Sequence, residues 1–88
     1  SSLVGSEMCI RDSVSITPVA NTPTMKHVQF PRAFAGQPCV VVTPVTSVPG
    51  TNVLGTGASN NSNDGFDAYV TRTNTTETIL AWIAIGPV

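Results

Sequence analysis

Short stretches of alternating or continuous apolar residues, separated by Pro, Gly and Asn, run through the chain from Val14 onward. Strands of about four to eight residues bounded by such turn residues are typical of all-β domains, and no window has the apolar periodicity of an amphipathic helix. The pattern predicts six strands, at Val14 to Val19, Thr24 to Phe30, Cys39 to Val45, Thr51 to Ser59, Phe66 to Arg72 and Glu77 to Ile85. Because most connections between them are short, we expect an all-β fold, a six-stranded antiparallel β-sandwich.

Alternation within these strands predicts which side chains enter the core, since successive residues of a strand point to opposite faces. In the second strand we expect Val28 and Phe30 to point inward and His27 to lie on the other face. In the fifth strand the inward residues are predicted to be Phe66, Ala68 and Val70, and the outward ones Asp67, Tyr69 and Thr71.

Two glycine positions have specific local expectations. Pro49-Gly50 predicts a type II turn, with Pro at the second place and Gly at the third. Gly55 and Gly57 are two residues apart, so they share one face of a strand where something can approach the backbone closely.

The last strand, Ile79 to Ile85, does not alternate and is apolar on both faces. One face belongs to the core, and a domain this small has no third layer for the other, so a neighbouring subunit is the expected cover. We therefore predict a symmetric oligomer, a homotrimer. The alternative is that Ala81 and Ala84 leave a thin exposed apolar patch.

Composition narrows the function classes. Val, Ile and Thr make up 29 of the 88 residues, whereas Leu, Lys and Glu are scarce, which excludes a helical bundle or a coiled coil. The formal net charge of −1 gives no electrostatic basis for binding nucleic acid or anionic lipid. The longest apolar run is too short to cross a bilayer, so no membrane insertion is expected.

The first thirteen residues stand apart from the rest. Leu3 to Asp12 resembles a translated sequencing adapter at all ten positions, and Ser13 is compatible with it. We interpret residues 1–13 as an adapter-derived artefact, expected to be disordered, and residues 14–88 as the domain; the alternative is a genuine N-terminal arm. Without Cys9, Cys39 is the one cysteine of the domain, and we expect it to be a small buried hydrophobe.

The residues offer no catalytic or metal-binding pattern. His27 is the sole histidine, and it has neither a nucleophile motif nor a metal-ligand spacing around it, so we expect a solvated strand residue. The stretch from Asn61 to Asp67 is rich in oxygen ligands but lacks the spacing and the closing Glu of a calcium loop. We therefore predict a non-enzymatic protein with no catalytic residue, metal or cofactor, and keep a small hydrolase as a remote alternative.

Four short motifs carry a resemblance to known families: Phe30 to Phe34, Pro38 to Thr43, Gly65-Phe66 and Trp82 to Gly86. In this order and spacing they resemble the C-terminal β-sandwich domain of bacteriophage tail-fibre proteins and, more distantly, the H-type lectin domain of invertebrate agglutinins. The resemblance implies a trimeric, H-type lectin-like sandwich that binds a host-surface receptor or a galactose-like sugar. The implied location is the virion tail, or outside the cell for a secreted lectin.

The sugar site of the H-type lectins does not carry over to this sequence. It uses an Arg at a place that falls near Gly57 here, and a Trp-His pair in the turn before the last strand, where this chain has neither residue. If that turn still forms a pocket at a subunit junction, the candidate ligand-binding residues are Arg72, Asn74 and Glu77. The alternative is an ordinary polar hairpin turn.

Besides the remote hydrolase alternative, these observations leave three non-enzymatic functions open. The first is a receptor-binding domain at the C-terminal end of a phage tail fibre or tail-like protein. The second is a structural trimerisation cap without a ligand, and the third is a secreted lectin.

Overall fold

The computed structural model describes residues 7–88, and all regular structure in this range is β. Two three-stranded antiparallel sheets, with strand orders β1-β6-β3 and β2-β5-β4, pack face to face around one core. The strands are β1 Glu7–Ile16, β2 Thr24–Gln29, β3 Cys39–Val45, β4 Val53–Ser59, β5 Gly65–Arg72 and β6 Thr78–Pro87. The predicted all-β class and the six antiparallel strands are confirmed.

The predicted and observed strand bounds agree closely for five of the six strands. β3 has the predicted bounds, and the ends of β2, β4, β5 and β6 differ from the prediction by one or two residues. β4 begins late because the chain first completes the predicted turn, in which Gly50 has a φ of 81° and the Thr51 amide donates to the Val48 carbonyl at 3.4 Å. These values match a type II turn, whose third residue needs a positive φ.

Strand β1 differs most from the prediction. It ends at Ile16, ahead of Pro18, and it begins at Glu7, within the segment that the sequence analysis sets apart. Residues 7–13 pair antiparallel with β6, from Glu7 opposite Pro87 to Ser13 opposite Ala81. Residues 1–6 of that segment lie outside the described residues. The adapter origin of the segment stays a prediction, because pairing in a sheet does not bear on the source of a sequence.

Four aromatic side chains form the centre of the core. Phe30 lies 5.2 Å from Phe34, 5.9 Å from Phe66 and 5.6 Å from Trp82, measured between ring centroids. The Phe66–Trp82 contact, at 5.3 Å and 71° between ring planes, joins β5 of one sheet to β6 of the other. Such edge-on and tilted pairs are the arrangements that aromatic rings prefer, so this cluster holds the two sheets together.

Two glycines allow backbone contacts that a side chain would prevent. A Cβ on Gly65 would lie 2.5 Å from the carbonyl oxygen of Val28, and one on Gly86 would lie 2.9 Å from the Phe34 ring. The predicted last strand ends at Ile85, but β6 continues through Gly86, which pairs with Met8, to Pro87.

No helix in residues 7–88 has the length and apolarity that a bilayer-crossing segment requires.

Candidate functional site

The three candidate residues of the sequence analysis lie around the turn between β5 and β6. The Arg72 side chain is buried, with 8% of the residue exposed. Its Nε donates to Oδ1 of Asn74 at 2.5 Å, and its Nη1 donates to Oγ1 of Thr78 at 3.2 Å. Glu77 is exposed and has no ion pair within residues 7–88. The fold thus joins Arg72 to Asn74 but leaves Glu77 apart.

The inward direction of Arg72 follows from the alternation of β5. Phe66, Ala68 and Val70 point inward, as predicted, and Arg72 is the next residue of that face. Continuing the predicted inward series of β5 from Val70 to Arg72 would have predicted that the Arg72 side chain points inward. The guanidinium binds the turn that leads into β6, so little of it is left for a ligand; ligand binding by these three residues stays a prediction.

A polar cluster on the outer face of sheet β2-β5-β4 was missed in the sequence. His27 and Asp67 are register partners on β2 and β5, and His27 Nδ1 lies 2.8 Å from Asp67 Oδ1. Asn60 Nδ2 donates to Asp67 Oδ2, also at 2.8 Å. Both faces had been predicted correctly, but alternation does not give the register between strands, which is what brings His27 and Asp67 together.

The Asp67 carboxylate is ionised and held in place by this cluster. Its pKa lies below the ordinary value of 3.8, first because Asn60 donates a hydrogen bond to the charged form, and second because His27 does so. The Asp67 side chain is 13% exposed, whereas that of His27 is 57% exposed. The outer face of the sheet therefore carries a fixed negative charge beside a solvated imidazole.

The His27–Asp67 pair has two members of a hydrolytic triad but not the third. Nε2 of His27 lies against Gly65, where an added Cβ would be 3.0 Å from it. No hydroxyl or thiol of residues 7–88 hydrogen-bonds to that nitrogen, and a triad requires one. Within the same range, no three His, Cys, Asp or Glu side chains group as metal ligands would.

An open trough runs along the same outer face, beside the polar cluster. It has a volume of about 380 Å³ and is lined by Pro23, Gly55, Thr56, Gly57, Ala58, Ser59, Tyr69 and Thr71. We call it the Tyr69 trough. Its shape follows from the register, in which Gly57 lies opposite Tyr69 and Ser59 opposite Asp67.

The two glycines form the open floor of the Tyr69 trough. A Cβ on Gly55 or Gly57 would meet no atom within 4 Å. The expectation that both lie on one face is confirmed: each is paired with an outward residue of β5, Thr71 and Tyr69 respectively. A ligand placed there would touch strand backbone and the side of the Tyr69 ring together.

On the outer face of the other sheet, β1-β6-β3, the exposed residues of β6 and β3 are mostly apolar, whereas β1 presents Arg11 and Ser13 there. The residues Val41, Val45, Ile79, Ile83 and Ile85 are 41% to 62% exposed, and we call them the apolar outer face. Between them, at Ala81, lies a hollow of about 170 Å³. The opposite face of β6 is buried, so the strand is apolar on both faces as predicted, with one face covered by the core.

Cys39 lies at the margin of this face and not in the core. It is exposed, in register with Ile85, because it occupies the first, outward position of β3. The expected burial of Cys39 is wrong, since a valine-rich strand does not by itself show which of its two faces is covered.

No protein-family model and no curated protein matches this chain. The resemblance to tail-fibre and H-type lectin domains therefore stays a prediction.

Proposed function

We propose that this chain is a non-enzymatic receptor-binding domain, which forms the C-terminal end of a phage tail fibre or tail-like protein and binds a host-surface glycan. The observation that carries the proposal is the Tyr69 trough. Its volume of about 380 Å³ lies at the small end of the range of ligand sites, about 300 to 1,000 Å³.

The chemistry of the trough suits a hydroxyl-rich ligand with an apolar face. The Tyr69 ring offers an apolar surface, while Ser59 and Thr71 offer hydroxyl groups that both donate and accept hydrogen bonds. Asp67 and Asn60 extend this polar margin beyond Ser59. A sugar ring has the complementary combination of an apolar face and a rim of hydroxyls.

Assembly into a homotrimer is the second part of the proposal, and the apolar outer face supports it. Five large apolar side chains are exposed on β6 and β3 of one sheet face, and large exposed apolar patches mark interaction sites. The position of the apolar outer face on sheet β1-β6-β3 leaves the Tyr69 trough, on the other sheet, free in each subunit. Three weak sites on one fibre end then gain avidity without new contacts.

The test uses the full chain on a panel of bacterial surface glycans and on bacterial cells, with its mass measured by sedimentation. We expect a trimer that binds. A Cβ at Gly57 would meet no atom within 4 Å and valine suits a strand, so Gly57→Val should fill the floor of the trough and abolish binding while the fold and trimer remain. Ala33→Val adds a similar bulk at an exposed loop position and should change nothing.

A structural trimerisation cap is the alternative function, and the burial of Arg72 favours it. The Arg72 guanidinium, beside the turn to which the resemblance points, donates its hydrogen bonds within the chain, to Asn74 and Thr78. A stable trimer that binds neither glycans nor cells would support the cap. A secreted lectin would instead lose galactose binding on Glu77→Gln and keep it on Gly57→Val. A monomer without binding would contradict all three functions.

A further inference from the structure

The Tyr69 trough has a carboxylate near it but no cationic residue in its lining. None of its lining residues is a Lys, Arg or His. Lys26, the nearest cation in sequence to His27, donates to the carbonyl oxygen of Ser15 at 3.0 Å, on the side of β1. Asp67, whose carboxylate carries a formal negative charge, lies in register with the lining residue Ser59 and precedes the lining residue Tyr69 by two positions on β5.

On the basis of the receptor-binding function proposed above, we propose that the Tyr69 trough selects uncharged glycans over anionic ones, and that Asp67 is the residue that makes this selection. An anionic glycan is one that carries a carboxylate, sulfate or phosphate. Its charge would be brought close to a carboxylate with no cation in the trough to compensate.

The position of Asp67 makes its field local and fixed. It precedes Tyr69 by two residues on the same face of β5, a spacing of about 7 Å along a strand. Hydrogen bonds from Asn60 and His27 hold its two oxygens, so the carboxylate cannot swing away from an approaching anion. Each oxygen still has a free lone pair, which can accept a hydroxyl of an uncharged sugar.

The size of the selection follows from Coulomb's law. If the anionic group binds at Tyr69, about 7 Å from Asp67, like-charge repulsion in a medium between a protein surface and water disfavours binding by about 3- to 50-fold. The effect should be largest at low ionic strength, because salt at about 0.1 M screens charges beyond about 10 Å. Because His27 contacts Asp67, all measurements are made at one fixed pH.

The decisive variant is Asp67→Asn, which keeps the shape of the side chain and removes its charge. Asp64→Asn is the matched control, since it changes the net charge of the chain equally but removes an exposed carboxylate from the loop before β5. The probes are matched pairs of oligosaccharides, with and without a terminal sialic or uronic acid. They are titrated into the full chain at this fixed pH in low and high salt.

We expect the full chain to bind the uncharged member of each pair more tightly, by about 3- to 50-fold in low salt. Asp67→Asn should bring the two affinities to within about twofold, whereas Asp64→Asn should leave the preference intact. Equal affinities for both members in the unaltered chain, or a preference that survives Asp67→Asn, would overturn the inference while receptor binding stands. Absence of binding to every glycan and every cell would overturn the proposed function itself.

Discussion

Replacing Ile83 by Asp tests whether the apolar outer face is covered by sister chains. Ile83 lies on the central strand β6, is 41% exposed and borders the hollow at Ala81. Its neighbour across the β1 pairing is Arg11, which can pair with the new carboxylate in the free subunit. The substitution should therefore leave the subunit folded and act on assembly.

The magnitude follows from the exposed fractions of the face. Burying a whole Val or Ile side chain is worth about 1.5 to 3 kcal/mol, so covering the exposed part of each of the five residues contributes about 1 kcal/mol, or about 5 kcal/mol for each subunit. Ile83→Asp removes about one fifth of this and adds the cost of taking a carboxylate out of water. A penalty of about 3 kcal/mol for each of the three subunits raises the free energy of trimer association by about 9 kcal/mol. This lowers the association constant of the trimer by about a millionfold.

Sedimentation equilibrium over a dilution series, with circular dichroism for the fold, measures this effect. We expect a trimer for the unaltered chain and a folded monomer for Ile83→Asp. Leu54→Asp is the control, because Leu54 is 52% exposed but belongs to β4 in the other sheet. A monomeric unaltered chain at micromolar concentration, or an Ile83→Asp variant of unchanged mass, would refute the reasoning.

Three further predictions concern the stability of the single chain. Gly65→Ala places a Cβ 2.5 Å from the Val28 carbonyl oxygen and should cost about 1 to 3 kcal/mol in urea unfolding. Arg72→Met keeps the apolar stem but removes both hydrogen bonds of the buried guanidinium, so it should cost about 2 kcal/mol, measured the same way. The lowered pKa of Asp67 stabilises the fold above the ordinary value of 3.8, and this contribution is lost as the pH falls below that value through the folded-state pKa; acid titration of Asp67→Asn should lack this loss.

Each of these predictions has a matched control. Gly55→Ala should be neutral or stabilising, since its Cβ would meet no atom within 4 Å. Arg32→Met removes an exposed arginine and Asp64→Asn an exposed aspartate. Equal effects in a variant and its control would contradict the specific contact assigned to that residue.

The sequence predicts this fold well where one residue type determines the local outcome. β3 has its predicted bounds because Pro38 and a valine run define it, and the turn at Gly50 forms because glycine adopts the positive φ that it needs without steric cost. The inward residues of β5 followed from alternation alone. These features depend on neighbours in the chain, which the sequence shows directly.

The candidate site was less predictable because it depends on the register between strands. His27 and Asp67 are far apart in the chain, and their contact exists because β2 and β5 pair in one particular alignment. The same holds for Gly57 beside Tyr69. The inward direction of Arg72 was missed for a different reason: the inward residues of the fifth strand were predicted only as far as Val70, one step short of Arg72.

The central place of β6 in its sheet has a consequence for how the chain folds. Within residues 7–88, β1 and β3 have no sheet partner except β6, so neither can join a ladder until the ribosome has released β6. The outermost pair, Glu7 with Pro87, closes a loop of nearly the whole described chain. Pairing between residues far apart in the chain slows folding. Because the hydrophobic strand β3 stays unpaired on the nascent chain until β6 is available, we expect chaperones to bind it.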